Sequence, residues 1–223
     1  MKKLLKEITE ELLLVLRGKT LDTILPPLIF VVSLNLFDLL NALIISLSST
    51  FVIWLYRVMK KEDIIYALAG LTAVFIASFF AFLNNNASTF FIPDIIGSGL
   101  IVFVTICSLI IKKPFAAYVS HITRGWPLAW FFREDVKKAY TEVTWFWLIY
   151  FVLRAAIETY LFFFGTVEAL VTFNTIVGFP LLIAVLVISY VYGIFRLRKL
   201  GGPGVDEFIE KKEPPYRGQT RGF

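Results

Sequence analysis

Long apolar runs alternate with short polar turns along most of the chain, and their lengths predict helices that cross a membrane. A helix needs about 20 apolar residues to cross a hydrocarbon core of roughly 30 Å. The runs that approach this length are residues 23–38, 41–57, 64–83, 92–111, 144–164 and 170–196. The pattern therefore predicts an all-α, polytopic transmembrane bundle of about six spans within residues 21–200.

The first two predicted spans share one long apolar run, in which Asp38 is the only charged residue between positions 23 and 56. Asn35 and Asn41 flank Asp38 and predict a tight turn there. Two short crossings fit this run, and so does a re-entrant hairpin that never fully crosses. Both return the chain to the same side, so charge counting leaves the two alternatives open.

Polar residues and helix breakers also occur within the predicted spans. Gly178-Phe179-Pro180 interrupts the sixth span and predicts a kink or local break.

Hydroxyl side chains within the second and third spans either line a polar path or bond back to a carbonyl one turn earlier, which is the commoner arrangement. They are Ser46, Ser48, Ser49 and Thr50 in the second span, and Thr72 and Ser78 in the third.

Three segments lie outside the spans. Residues 1–20 carry apolar and charged residues on opposite faces at helical spacing, which predicts an amphipathic helix on the membrane surface. A soluble helix packed on cytoplasmic loops is the alternative. Residues 112–141 are basic and aromatic and predict an interfacial cytoplasmic loop. Residues 201–223, rich in Gly, Pro and charge, predict a flexible cytoplasmic tail.

Composition agrees with a membrane protein, since 58% of the residues are hydrophobic, 17% are charged and the mean hydropathy is +0.77. A soluble domain carries about 25% charged residues. With the amino terminus inside, all but one of the 22 Lys and Arg residues fall on one side of the predicted membrane. The positive-inside rule then predicts an inner-membrane protein with both termini cytoplasmic.

This topology explains the net charge of +5 without a nucleic-acid partner. The basic inner face favours anionic lipid headgroups instead. Tryptophan and cationic side chains in the cytoplasmic loop are the expected headgroup or interface contacts. They are Lys112, Lys113, Arg124, Trp126, Trp130 and Arg133.

The one basic residue outside the cytoplasmic set is Arg154, about halfway along the fifth predicted span. A charge there costs roughly 2.5–3.5 kcal/mol on insertion scales, so Arg154 is expected to face protein or water. Glu158, one helical turn later, forms either a structural ion pair with it or part of an anion-binding site. The candidate ligand-binding cluster comprises Arg154, Glu158, Asn35, Asp38, Asp94 and Asn174.

The sequence predicts no catalytic residue, metal site or cofactor. Its one cysteine, Cys107, and one histidine, His121, have no nucleophile or ligand partners at a suitable spacing. No Gly-rich phosphate loop is present either. A membrane-embedded enzyme that acts on lipid through Arg and Asp residues is the remaining enzymatic alternative.

Several short segments stand in an order and at a spacing that resemble a known family. They are Leu25-Pro26-Pro27-Leu28-Ile29-Phe30, residues 57–63, Phe91-Ile92-Pro93-Asp94, Lys112-Lys113-Pro114-Phe115 and Leu153-Arg154-Ala155-Ala156-Ile157-Glu158. Over about residues 17–200 the chain resembles an uncharacterised family of actinobacterial-type polytopic membrane proteins. That family is similar to the bacterial intracellular septation protein A (YciB) family. The resemblance implies a role in envelope synthesis, elongation and division, with no established reaction, and Arg154 and Glu158 are not carried over from it.

The leading hypothesis is therefore a non-enzymatic protein of envelope biogenesis or septation type that handles or senses lipid. Its expected partners are membrane lipids and envelope or division proteins, and self-association is compatible with the sequence. A small transporter or channel for an anion or polar solute is one alternative. A membrane scaffold for division or elongation proteins is the other.

Overall fold

The computed structural model describes residues 19–60, 64–220 and 222–223, and within these ranges its regular secondary structure is helical, with no β-strand. The helices are α1 Lys19–Leu36, α2 Leu39–Met59, α3 Ile64–Asn84, α4 Ile92–Ile110, α5 Phe115–Arg124, α6 Leu128–Phe131, α7 Glu134–Phe164, α8 Val167–Phe173, α9 Phe179–Leu200 and α10 Val205–Ile209. A 3-10 helix, Ala87–Phe91, precedes α4, and a π-helical turn, Asn174–Gly178, joins α8 to α9. The prediction of an all-α fold is confirmed.

Four helices of the described chain are long and apolar enough to cross a membrane, which identifies a membrane protein. They are Leu39–Met59, Ala87–Ile110, Glu134–Phe164 and Pro180–Leu200. The other two predicted spans fall on shorter apolar segments, which are Leu25–Leu36 within α1 and Leu68–Asn84 within α3. The amphipathic helix predicted for residues 1–20 lies outside the described residues, except for its last two positions.

The chain divides into two compact units. Unit 1 consists of Met1–Gly97 and Ala156–Leu181, and unit 2 consists of Ser98–Ala155 and Leu182–Phe223. Helices α4, α7 and α9 each contribute residues to both units.

The apolar core of unit 1 joins α1, α2, α3, the 3-10 helix and α8. Its rings include Phe30 and Phe90, which stack with centroids 4.3 Å apart and planes 10° from parallel. Small residues on the facing helices allow close backbone approach. The buried core residues are Phe30, Val31, Ala42, Leu43, Val74, Ala77, Ala81, Phe90, Phe91, Leu170 and Val171. Helices α1 and α2 are also tied together directly, because the Ser46 hydroxyl donates to the carbonyl oxygen of Pro26 at 3.2 Å.

The expected break near Pro180 takes the form of the π-helical turn Asn174–Gly178. A proline inside an α-helix removes one hydrogen bond, and its ring clashes with the carbonyl of the residue four positions earlier. The structure places Pro180 in the first turn of α9, where the missing N–H costs no hydrogen bond within the helix. The wider π turn before it carries the chain from α8 into α9.

In unit 2, α7 presents a buried stripe at helical spacing. The stripe consists of Val136, Ala139, Tyr140, Val143 and Trp147. This stripe explains why α7 begins at Glu134, ten residues before the predicted span 144–164. Part of the predicted interfacial loop 112–141 is therefore helical, in α5, α6 and the start of α7.

Candidate functional site

A groove opens between α2 and α3 in unit 1, near the middle of both helices. Its cavity volume is about 580 Å³. Its lining is Leu47, Ser48, Phe51, Val52, Leu71, Thr72 and Phe75. The side chains at its mouth are exposed: the exposed fraction is 62% for Val52 and 60% for Phe75. The groove therefore opens on the outer surface of these two apolar helices rather than into a sealed interior.

Three hydroxyl side chains of these spans bond back to their own helix, which is the commoner arrangement. Ser49 and Thr50 both donate to the carbonyl oxygen of Ser46 at 2.8 Å. Thr72 donates to the carbonyl oxygen of Leu68 at 2.9 Å. Ser78 differs, because it is 4% exposed and its Oγ has no hydrogen-bond partner among the described residues.

Arg154 and Glu158 lie one turn apart on α7, as predicted, and neither side chain is fully exposed. Arg154 is half-buried, and its Nε is buried without a hydrogen bond in the described structure. Glu158 is fully buried at 0% exposure. Arg154 belongs to unit 2 and Glu158 to unit 1.

The other members of the predicted polar cluster separate into exposed and buried residues. Asn35 donates to the carbonyl oxygen of Val31 on its own helix at 3.1 Å. Asp38 is exposed before α2 and accepts a hydrogen bond from Asn41, and Asp94 is exposed in the first turn of α4. Asn174 opens the π turn, and its Nδ2 and Oδ1 are both buried without a partner in the described chain. Of the predicted set in unit 1, Glu158 is thus buried, and Asn174 is half-buried with both amide atoms shielded from solvent.

The predicted headgroup residues occupy different environments in unit 2. Lys112 and Lys113 are exposed after α4. The Arg124 guanidinium lies over the rings of Trp126 and Tyr190, at 5.1 Å and 5.6 Å from their centroids. These cationic and aromatic groups remain suited to an interface.

Arg133 and Trp130 make contacts within the protein. Arg133 is bidentate to Asp135, at 3.0 Å from Nε to Oδ1 and 2.8 Å from Nη2 to Oδ2. This hydrogen bonding raises the pKa of Arg133 above its ordinary value. Trp130 is 0% exposed, and its indole N–H donates to the carbonyl oxygen of Pro203 at 2.9 Å. The assignment of Trp130 to the lipid interface is therefore corrected, because a buried indole with its N–H already bonded cannot reach a headgroup.

The segment after α9 is packed on unit 2, which differs from the flexible tail predicted from its composition. Glu207 accepts hydrogen bonds from the backbone N–H groups of Gly204 at 2.9 Å, Arg217 at 2.8 Å and Gly218 at 3.1 Å. The Phe223 ring stacks on Tyr140 at 4.2 Å. Composition alone does not reveal these contacts, because they form only where the Glu207 carboxylate and the Phe223 ring meet other parts of the chain.

Comparison with known proteins yields a family. No curated protein and no solved structure matches the chain. Residues 17–197 match the model of a family described as a protein of unknown function, DUF3159. The match covers the helices from α1 nearly to the end of α9 and leaves out the packed carboxyl-terminal segment. The chain belongs to the DUF3159 family.

Proposed function

We propose that this chain is a bacterial inner-membrane protein of envelope biogenesis that handles or senses lipid, and the groove between α2 and α3 carries the proposal. The groove lies mid-way along two apolar helices and opens sideways. At that depth the surrounding medium consists of acyl chains. Its volume of about 580 Å³ falls within the range of roughly 300–1,000 Å³ usual for ligand pockets.

The lining of the groove suits one acyl chain of a membrane phospholipid. Apolar side chains supply most of it, and Phe51, Val52 and Phe75 are exposed at its mouth. The polar members are Ser48 and Thr72, and the Thr72 hydroxyl is already bonded to its own helix. A charged or strongly polar solute would find no counter-charge in this lining, whereas an acyl chain needs none.

The topology and the basic residues support contact with anionic lipids. In the proposed arrangement six spans place both termini in the cytoplasm, because nearly all basic residues then fall on one side. Lys112, Lys113 and Arg124 would meet headgroups on that side. The connection to envelope synthesis and division rests on the resemblance to the septation protein A family.

A second candidate function is transport of an anion or polar solute, and Arg154 favours it. The buried Nε of Arg154 has no hydrogen-bond partner in the described structure. A guanidinium presents a rigid fork of donors that matches phosphate and carboxylate. An anion that binds Arg154 while crossing the membrane would satisfy this group.

The groove is tested in vesicles of phosphatidylethanolamine and phosphatidylglycerol that hold a trace of phosphatidylglycerol with a photoactivatable acyl chain. In the wild type, cross-links are expected to concentrate in residues 47–52 and 71–75. Ser48→Trp fills the groove with a bulky ring and should lower this labelling by roughly tenfold, which corresponds to about 1.4 kcal/mol of binding free energy.

The matched control is Ile44→Trp, which adds the same ring to a residue of α2 that is 52% exposed and does not line the groove. Its labelling should equal that of the wild type. Equal labelling of all exposed faces of α2 and α3, unchanged by Ser48→Trp, would contradict lipid binding in the groove. Anion flux through the same vesicles that disappears in Arg154→Leu would favour transport instead.

A further inference from the structure

Trp54 lies just beyond the lining of the groove, toward the carboxyl-terminal end of α2. Its indole is tilted against the ring of Phe51, which lines the groove, with centroids 5.4 Å apart. The indole Nε1 is buried and has no hydrogen-bond partner among the described residues. A buried indole N–H usually finds a partner, and leaving it unbonded costs free energy. This donor beside the groove therefore requires an acceptor that the described residues do not supply.

The groove lining on α2 leads directly to Trp54. Leu47 and Phe51 line the groove, and Trp54 is seven residues after the first and three after the second. Residues at this spacing share one face of a helix, so the three side chains form a continuous row. Because Leu47 also packs against the apolar core of unit 1, this row forms the inner wall of the groove.

The two ends of α2 differ in charge. Arg57 lies in the last turn of the helix, and Lys60 follows as its C-cap. Residues 57–63 hold three basic and two acidic residues. At the other end of α2 the nearest charged residue is Asp38. An anionic group is therefore favoured at the Arg57 end and disfavoured at the opposite end.

Distances along α2 match the thickness of one lipid leaflet. Ser48, near the middle of the groove, is nine residues before Arg57, which corresponds to about 14 Å along the helix axis. Half of a hydrocarbon core of roughly 30 Å is about 15 Å. An acyl chain that ends near Ser48 therefore has its headgroup close to Arg57. The ester carbonyl oxygens lie between chain and headgroup, at the level of Trp54.

We propose that the groove holds one anionic phospholipid of the leaflet on the Arg57 side, with the Trp54 indole N–H donating to an ester carbonyl oxygen of that lipid. Arg57 and Lys60 contact its phosphate, because long basic side chains near a helix end extend to the interface and bind phosphate well. Phe51 is 49% exposed and turns aside when the lipid enters, which uncovers the indole N–H. The assignment rests on the proposed acyl-chain binding in the groove, and it adds the orientation of the lipid and the charge of its headgroup.

The orientation is tested by photo-crosslinking of the full chain in phosphatidylcholine vesicles with two phosphatidylglycerol probes. One probe carries the photoactivatable group near the ester, and the other carries it at the end of the acyl chain. The first should label residues 52–58 of α2, and the second should label residues 44–48. The reverse pattern in the wild type would overturn the proposal, whatever the variants do.

The headgroup is tested with a phosphatidylcholine probe that has the same acyl chain. Labelling of the groove in the wild type should be roughly fivefold stronger with the phosphatidylglycerol probe. Combined Arg57→Gln and Lys60→Gln substitutions should make the two probes equal. The matched control combines Lys112→Gln and Lys113→Gln, which removes two exposed basic residues after α4 and should keep the preference. Equal labelling of the wild-type groove by both probes would overturn the anionic headgroup.

The hydrogen bond is tested by Trp54→Phe, which keeps an aromatic ring and removes the N–H donor. Groove labelling by both probes should fall roughly three- to tenfold, because both lipids have ester carbonyls. Trp145→Phe changes a tryptophan of unit 2 that is 54% exposed, and it should leave the labelling unchanged. Undiminished labelling in Trp54→Phe would overturn the role of the indole and leave lipid binding in the groove intact. Absence of groove labelling by every probe would instead overturn lipid binding itself, and this assignment with it.

Discussion

Two buried serines, one in each unit, show how differently the units use polar atoms. Ser189 of unit 2 is 2% exposed, accepts the indole N–H of Trp147 at 2.8 Å and donates to the carbonyl oxygen of Val185. Ser78 of unit 1 is 4% exposed and makes no hydrogen bond in the described structure. The first serine links α7 to α9, whereas the second makes no such link in the described chain.

Other polar contacts of unit 2 also connect its segments. Thr144 accepts the backbone N–H of Ala116 at 3.1 Å and so ties α5 to α7. Arg196 is bidentate to Glu142, at 2.6 Å and 2.7 Å, and ties α9 to α7. The Nε of Arg154 and the Nε2 of Gln219 are exceptions, since both are buried without a hydrogen bond in the described chain. The comparison indicates that the polar contacts of unit 2 mainly join its helices, whereas unit 1 carries the groove between α2 and α3.

The largest loss of stability is expected from a substitution that removes a contact between helices of unit 2. Trp147 is 7% exposed, bonds Ser189 and packs edge-on against Phe115 with centroids 6.3 Å apart. Trp147→Ala should destabilise the protein by about 3–5 kcal/mol, because it leaves a cavity and removes the partner of a buried hydroxyl. Trp145→Ala is the matched control, since Trp145 is 54% exposed on the same helix and should cost far less. Denaturant unfolding in detergent compares the two, and equal losses would contradict this account of unit 2.

Smaller changes in stability are expected when each of the two serines, Ser189 and Ser78, is replaced by alanine. Ser189→Ala leaves the indole N–H of Trp147 buried and unbonded, which should cost about 1–3 kcal/mol. Ser78→Ala should be neutral or slightly stabilising, because it removes a buried hydroxyl that has no hydrogen-bond partner in the described chain. Both are read from denaturant unfolding curves in the same detergent. A similar loss of stability in both variants would remove the distinction between the units.

The smallest effect concerns the carboxyl-terminal segment of unit 2 and depends on pH. Backbone N–H groups of Arg217 and Gly204 hold the pKa of Glu207 below its usual value of 4.5. The carboxylate therefore stabilises the packed segment above about pH 4.5, and this contribution is lost as the pH falls through the lowered pKa of the folded state. Hydrogen exchange of residues 204–218, corrected for intrinsic rates, should accelerate severalfold over that range.

Two variants check the origin of this pH dependence. Glu207→Gln cannot ionise and should show no such acceleration on acidification. Glu213→Gln, which alters an exposed carboxyl of the same segment, should retain it. An unchanged pH dependence in Glu207→Gln would assign it to another group.

The sequence by itself determined the fold class, because long uncharged runs at membrane length admit little besides apolar helices. It also located the break near Pro180 and the unusual charges Arg154 and Glu158, since prolines and charges stand out against an apolar background. Tertiary structure decided the environment of each polar residue. Ser46 and Ser78 look alike in the sequence, yet one bonds Pro26 across a helix pair and the other is left unbonded. The same holds for Trp130, whose indole N–H bonds the carbonyl oxygen of Pro203, far away along the chain. Hydropathy records what one residue prefers, whereas a hydrogen bond between helices or a groove requires two or more segments to meet.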